Sequence, residues 1–524
     1  MYVEPGTNLR LLKGVPLDPD HRNTLYFDTQ TAQHDYFVSK SVETFYNYTY
    51  QRVNNGVGRV SCPADRVYAC NYMMFQNAAY GSKWFYAFIT SVEYVNDATA
   101  EIRFTIDLLQ TWLFEMRLGQ CYIERAHTLT DQIGEYLEPE DIDTGEYKTI
   151  ATQTTGFFNN YVMVVLSAAT LTGEAPSVEI WKSVCGGMPC GLYAYAFKPS
   201  DEGDYNIAFN LLTKFFETDS IVSVFLFPED LITVDDLRQT VKPEAVKKEV
   251  KPTQTIRPDT IDGYRPKNNK LFTYPYTLLR ASTSYGPSVS LHYEYFQDGT
   301  PDFDLLAGFS ANPAVVMVPH NYNGEIYAWG SALEISQFPQ VAYISDTYRA
   351  WVAQGGLLSL PSSMLSVAGN AVTGVGSKIA TGAAGIAGSV VSSGVGLAMG
   401  VTSAMFELEK MKNAPDTGRG SCSATAQFCH RLVNYYFEIR QVRREYAKMI
   451  DDYFTMFGYA INQTGTPSLR ARPHFTYVKT RGCIVKGDIP AEAVQQISTA
   501  FDSGITWWRN PEEVGNYSLD NSPK

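Results

Sequence analysis

Lys83-Trp84-Phe85-Tyr86-Ala87-Phe88-Ile89-Thr90-Ser91-Val92-Glu93-Tyr94 is a long aromatic and β-branched run. Asn96-Asp97 follows with turn chemistry, and Glu101-Ile102-Arg103-Phe104-Thr105-Ile106-Asp107 then alternates with period two. Flat rings and β-branched side chains pack well on a pleated surface, so the pattern predicts a β-hairpin. Working outward, the first 128 residues read as β, and Tyr161 to Ala168, Ile221 to Phe227 and Ala314 to Val318 add short apolar strands. Asn434 to Val442 and Phe475 to Val485 are strand-like near the other end. Two helices interrupt them. Arg443 to Phe457 places Tyr446, Met449, Ile450, Tyr453 and Phe457 at helical spacing, and a second helix after Pro490 turns Val494, Ile497 and Phe501 inward. The fold class is mainly β with a few packed helices, a β-rich α+β chain of several interrupted domains.

The 524 residues suffice for two to four domains. Apolar content of 45% and charged content of 19% indicate a folded chain, and 35 Tyr with 28 Phe fit the β reading. A net charge of −13 argues against phosphate-neutralising nucleic-acid binding and does not exclude nucleic acid passing through, since a lumen of the same sign would not hold on to it. The eight cysteines include no CxxC pair. Cys422, Cys429 and His430 lack zinc-ligand spacing, so buried free thiols are expected and neither metal nor cofactor is assigned. Asp141 to Glu146 lacks the remaining ligand positions of a calcium loop. Met1 to Pro5 has no basic or apolar region of a secretory signal, so the acceptor triplets at Asn47, Asn462 and Asn516 read as chance matches. Val241 to Asp259, with Pro243, Pro252 and Pro258 among alternating Lys and Glu, reads as an exposed linker.

From Trp351 to Phe406 the only charged side chain is Lys378. One apolar arm, Trp351 to Val372, carries Trp351, Leu357, Leu358, Leu360, Met364, Leu365, Val367 and Val372. The other, Ala383 to Phe406, carries Ile386, Val390, Val391, Val395, Leu397, Met399, Val401 and Phe406. Between them lies a polar, glycine-rich tip, Thr373 to Gly382, holding Val375, Lys378 and Ile379. Each arm has the roughly 20 residues needed to cross a hydrocarbon core as a helix. Lysine at mid-bilayer costs about 3 kcal/mol or more, which a hairpin with Lys378 at its crossing tip avoids.

Small residues recur every fourth position (Gly376, Ala380, Ala384, Gly388, Ser392, Gly396, Gly400, Ala404), with Gly396 and Gly400 forming a literal GxxxG. The glycines, each costing up to about 1 kcal/mol in a helix, leave the segment poorly helical in water. A core helix has no need of so much glycine, a linker is polar, and a resident membrane hairpin carries basic flanks and more Leu and Phe. The composition therefore favours a conditional, membrane-inserting loop.

Several stretches carry a family resemblance. They are Tyr72-Met73-Met74-Phe75-Gln76-Asn77-Ala78-Ala79-Tyr80-Gly81-Ser82-Lys83-Trp84-Phe85-Tyr86-Ala87-Phe88, Ile106-Asp107-Leu108-Leu109-Gln110-Thr111-Trp112, Phe501-Asp502-Ser503-Gly504-Ile505-Thr506-Trp507 and Gly515-Asn516-Tyr517-Ser518. Arg470-Ala471-Arg472 through Gly487-Asp488-Ile489 adds to them. With these the chain resembles the distal tube, or tail-knob, proteins of small Salasvirus-like podoviruses (Picovirinae) of Gram-positive hosts, over roughly residues 8 to 128 and 435 to 521.

The resemblance implies a homohexameric β-rich tube at the distal end of the virion tail, below the lower collar and tail tube and above a tail-tip protein. It implies DNA passing through without sequence-specific binding, and loops that plug the lumen and then form a pore in the host cytoplasmic membrane. On that reading residues 1–150 are an N-terminal tube domain and 151–345 a variable middle knob with an exposed linker near 241–259. Residues 351–406 are the membrane-active loop, and 407–524 a C-terminal β/α region completing tube and knob. No catalytic motif is present and the family implies none. The alternatives are a pore-forming toxin, a tail-tip wall hydrolase or a wall adhesin. Cys185-Gly186-Gly187-Met188-Pro189-Cys190 is the one unusual cysteine setting, and it reads as a tight turn.

Overall fold

The structure is a computed structural model. It describes residues 6–48, 56–155, 160–168, 192–197, 221–231, 247–250, 256–308, 312–323, 332–345, 410, 413–415, 417–419, 426–429 and 432–523. The chain is mainly β, as expected, with a few helices. It divides into two compact units, one comprising residues 1–150, 257–278 and 440–524, the other 151–256 and 279–439.

The first unit is built on a six-stranded antiparallel sheet in the spatial order Ser41–Tyr48, Thr7–Leu12, Tyr72–Gln76, Trp84–Asn96, Thr99–Ile106, Val57–Val60. The hairpin read from the aromatic run is present: Trp84–Asn96 pairs with Thr99–Ile106, closing at Asn96 opposite Thr99. Its consecutive apolar residues have a reason. Met73, Phe75, Phe85 and Ala87 enter one core cluster, while Tyr72, Met74, Tyr86 and Phe88 enter another on the opposite face. A sheet covered on both sides reads as an unbroken apolar run instead of an alternation.

Helix Gln30–Ser39 supplies part of that cover, with the Thr29 hydroxyl capping the Ala32 amide at 3.2 Å. It buries only Gln33 and Phe37, the latter stacked on Tyr72, so no apolar stripe announced it.

A five-stranded sheet completes this unit in the order Asn23–Leu25, Ile505–Trp508, Phe475–Arg481, Cys121–Ala126, Tyr459–Gly465. The parallel pairing of Asn23–Leu25 with Ile505–Trp508 joins the two ends of the chain in one sheet, over fully buried Trp507 and Trp508. Helix Ala491–Ser503 buries Ala493, Ile497 and Phe501, with Val494 partly buried against the same core. Helix Arg444–Phe457 corrects the expected face. Ala447, Ile450, Asp451 and Phe454 are buried, whereas Met449 is 59% exposed.

The reason for the rotated face is Asp451, a buried carboxylate on which donors converge. Tyr264 Oη donates at 2.6 Å, the Lys267 amide at 2.9 Å, the Asn268 amide at 3.0 Å and Asn268 Nδ2 at 2.8 Å. An apolar-period rule scores this aspartate as surface; the four donors make its burial affordable. Nearby, buried Glu140 accepts from Lys270 Nζ at 2.6 Å, from the Ala460 amide at 2.9 Å and from Arg125. Residues 257–278 are thereby tied to both other stretches of the unit. His127 lies in the same interior. Its Nδ1 accepts from the Tyr477 amide at 2.8 Å, which leaves Nε2–H to donate to the Thr455 carbonyl at 3.1 Å. Burial first, then the Arg472 guanidinium, pushes its pKa down to about 3.

The second unit contains a three-stranded sheet, Tyr193–Phe197, Tyr161–Ser167, Ile221–Pro228. It also contains a four-stranded one, Lys247–Val250, Phe303–Gly308, Ala314–Pro319, Leu333–Ile335. Val162, Val164, Phe225, Phe227, Leu305, Val315 and Met317 meet in one core with Val433, Tyr435 and Phe437. The expected linker of 241–259 contains a structured piece: Lys247–Val250 pairs with Phe303–Leu306 as an edge strand. Charged side chains suit an edge, where they discourage further pairing. Cys185, Cys190, Cys422 and His430 lie outside the described residues.

Candidate functional site

The sequence singles out Trp351 to Phe406, and every site residue named there, from Trp351 through Lys378 to Phe406, lies outside the described residues. What the structure supplies is the frame that holds the two ends of this stretch. Tyr343–Ser345 and Thr417–Arg419 form a two-stranded antiparallel ribbon in which Tyr343 pairs with Arg419, Ile344 with Gly418 and Ser345 with Thr417. Ser345 and Thr417, which flank residues 346–416, therefore stand side by side, about one strand spacing of 4.8 Å apart.

Each arm of this stem is fixed to the second unit. On the leading side, Leu333–Ile335 pairs with Ala314–Pro319. Phe338 is buried with its ring 5.0 Å from that of Phe227. The Leu226 amide donates to the Pro339 carbonyl at 2.9 Å, and the Val341 amide to the Val224 carbonyl at 2.8 Å. These bonds continue the edge of strand Ile221–Pro228 to within two residues of the ribbon.

On the trailing side, helix Ala426–Cys429 sets Phe428 against Tyr161 at 4.6 Å. Val433 is buried, and strand Tyr435–Val442 enters the core. The Tyr435 hydroxyl links the two arms, donating to the carbonyls of Val315 at 2.7 Å and Leu333 at 3.1 Å. Burial holds that phenol far above its ordinary pKa, so it remains a neutral donor.

Among the described residues no group of three or more His, Cys, Asp or Glu is placed to hold a metal ion. No described helix is long and apolar enough to cross a membrane. The acidic stretch Glu135 to Glu146 has a structural use: Glu140 is buried against Lys270 and Arg125, and the Gly145 amide donates to Asp143 in a turn. The stem itself escaped sequence reading. Three-residue strands carry no period, and only their pairing partners define them.

The family model described as Bacillus phage phi29, tail knob protein gp9, C-terminal domain, matches residues 240–522. The model of the caudoviral major tail protein N-terminus matches residues 5–117. Identity to the tail knob protein gp9 of Bacillus phage phi29 is 28% over 592 aligned positions, covering 98% of both chains. The gp9 proteins of Bacillus phages PZA and B103 match at 28% and 26% with the same coverage. The structure of the bacteriophage C1 tail knob protein, gp12, superposes with a TM-score of 0.60 at 14% identity, covering 98% of this chain and 99% of that one. That last likeness is one of fold.

Proposed function

The chain belongs to the family of the phi29 tail knob protein gp9 and is a structural protein of a phage tail, and from that premise we propose that it forms the distal conduit for DNA and carries its own membrane-entering element. Six copies assemble into a tube, and the stretch Trp351 to Phe406 of each lies in the lumen until ejection. Confined there, the apolar arms bury surface against one another. Once released beside a bilayer, lipid is their better solvent, and the equilibrium moves toward insertion. Lys378 at the tip then stands beyond the hydrocarbon, while DNA of the same sign as the acidic chain passes through without being retained.

The observation that carries this reading is the ribbon of Tyr343–Ser345 with Thr417–Arg419. Flanks paired with each other on a packed unit allow the intervening stretch to depart without disturbing the strands that hold them.

The test replaces residues 351–406 with a short Gly/Ser linker and compares dye release from liposomes, at acidic and neutral pH, with that of the full chain. Loss of leakage with circular dichroism and thermal unfolding otherwise retained is expected. Equal leakage from both proteins rejects the membrane role.

A further inference from the structure

Two cysteines that the tail role does not use face each other in the first unit. Cys121 begins strand Cys121–Ala126, and Cys483 follows strand Phe475–Arg481. The ladder sets Arg481 opposite Tyr122 and, four residues further, Val485 opposite Leu118. In a regular ladder with that register, Cys121 faces position 482 and the Cys483 side chain points to the other face. Residue 482 is glycine in the left-handed region, φ +66°, and this local turn re-aims Cys483. Both cysteines are consequently buried in the same core cluster, close enough for each thiol to shift the other's pKa.

The turn is held from outside. Asp502 accepts from the Gly482 amide at 3.1 Å, the Cys483 amide at 3.3 Å and Thr480 Oγ1 at 2.8 Å. Ser498 Oγ donates to the Cys483 carbonyl at 2.7 Å, and the Gly119 amide to the Ile484 carbonyl at 2.7 Å. Cys121 and Cys483 thus lie on neighbouring strands, between the paired residues Arg481–Tyr122 and Val485–Leu118, and adjacent strands are the setting in which a disulfide can form.

We propose that Cys121 and Cys483 are a redox-linked pair, reduced while the protein is made and joined as a disulfide after the particle leaves the cell. A tail protein is synthesised in a reducing interior and acts in an oxidising exterior, so the compartment change supplies the condition. The co-reactant is a small-molecule disulfide. One cysteine thiolate attacks it, forming a mixed disulfide and expelling one small thiol. The second cysteine then attacks the protein sulfur, forming the Cys121–Cys483 bond and expelling the other. The pair loses two electrons and two protons, and the external disulfide becomes two thiols.

Burial pushes the Cys483 thiol up to about 12 and raises that of Cys121, so the reaction proceeds through local opening beneath exposed Gly482 and Ile484 and is slow during assembly. The bond ties residues 1–150 of the first unit to residues 440–524 across a very long chain interval, the case in which a cross-link restricts the unfolded chain most.

The experiment uses the full chain, purified under reduction and held natively for a day with excess oxidised glutathione. Non-reducing peptide mapping is expected to recover the Cys121 and Cys483 peptides joined. Thermal unfolding of the first unit is expected to move up by about 5 °C, reversibly with dithiothreitol. A Cys483→Ser variant is expected to show neither change, and the map on the unsubstituted chain needs no variant to fold. Recovery of the two cysteines as free thiols, or as separate glutathione adducts, overturns the proposal.

Discussion

Removing one hydroxyl, by Tyr435→Phe, tests whether the stem of the apolar insertion is held as described. The side chain is fully buried, and its Oη donates to Val315 O and Leu333 O. The ring is kept, so the loss is confined to the hydroxyl and its backbone partners, the two carbonyls and Met317. A hydrogen bond contributes about 0.5–1.5 kcal/mol net, and leaving a buried acceptor unsatisfied costs about 1–3 kcal/mol. Both carbonyls lie in the sheet that also holds Leu333–Ile335, so a loss of roughly 1–3 kcal/mol should appear there first.

Two units make a single unfolding free energy ill-defined, so native-state hydrogen exchange is the appropriate assay. The non-proline amides of Ala314–Pro319 and those of Leu333–Ile335 should exchange about 5- to 150-fold faster in the variant, as follows from that free energy, while those of Tyr72–Gln76 in the first unit keep their rates. Exchange within twofold of the unsubstituted protein in both strands refutes the reasoning.

Three further outcomes follow from the first unit. His127 has its pKa depressed from 6.5 to about 3 by burial, so below pH 6.5 the unfolded chain takes up a proton that the folded one refuses. That stability is present above pH 6.5 and is lost as the pH falls toward 3, by about 2 kcal/mol between pH 7 and pH 5. His127→Asn should flatten the slope of urea midpoint against pH by that amount; parallel slopes count against it. Burial raises Asp131, whose contribution runs the other way and is common to both proteins. Asp451→Asn exchanges an acceptor of four hydrogen bonds for a half-donor group and should cost about 2–4 kcal/mol, read as a lowered urea midpoint of the first unit. Gly458, at φ +67°, leaves 2.2 Å between an added Cβ and the Ala126 carbonyl oxygen, so Gly458→Ala should cost at least about 2 kcal/mol in the same measurement.

The hairpin of Trp84–Asn96 with Thr99–Ile106 was readable because a dense aromatic run, a turn and a period-two stretch follow one another. The short strands Tyr161–Ser167, Ile221–Pro228 and Ala314–Pro319 were readable from composition and length. What could not be read were properties that only distant residues define. Helix Gln30–Ser39 buries two side chains and shows no stripe. Asp451 is polar by type and buried because donors from 264 to 268 reach it. The edge strand Lys247–Val250 hides within a proline-spaced charged stretch, because an edge tolerates charge. In the discontinuous first unit, Arg125 and Glu140 of one stretch meet Lys270 of another, 130 residues beyond Glu140. The apolar run was plain in the sequence, whereas the ribbon at its base was not.

Vesicle-sidedness labelling of a Lys378→Cys chain tests the membrane-entering hairpin most directly, with Ser345→Cys as the companion and the unsubstituted chain as background. After addition to sealed liposomes, a thiol reagent coupled to a polymer too large to pass the pore should label position 378 when trapped inside and position 345 when supplied outside. Labelling of position 378 only from outside, with dye still escaping, means that the tip never crosses. Labelling of position 378 only from outside, with the dye retained, contradicts the whole account of Trp351 to Phe406.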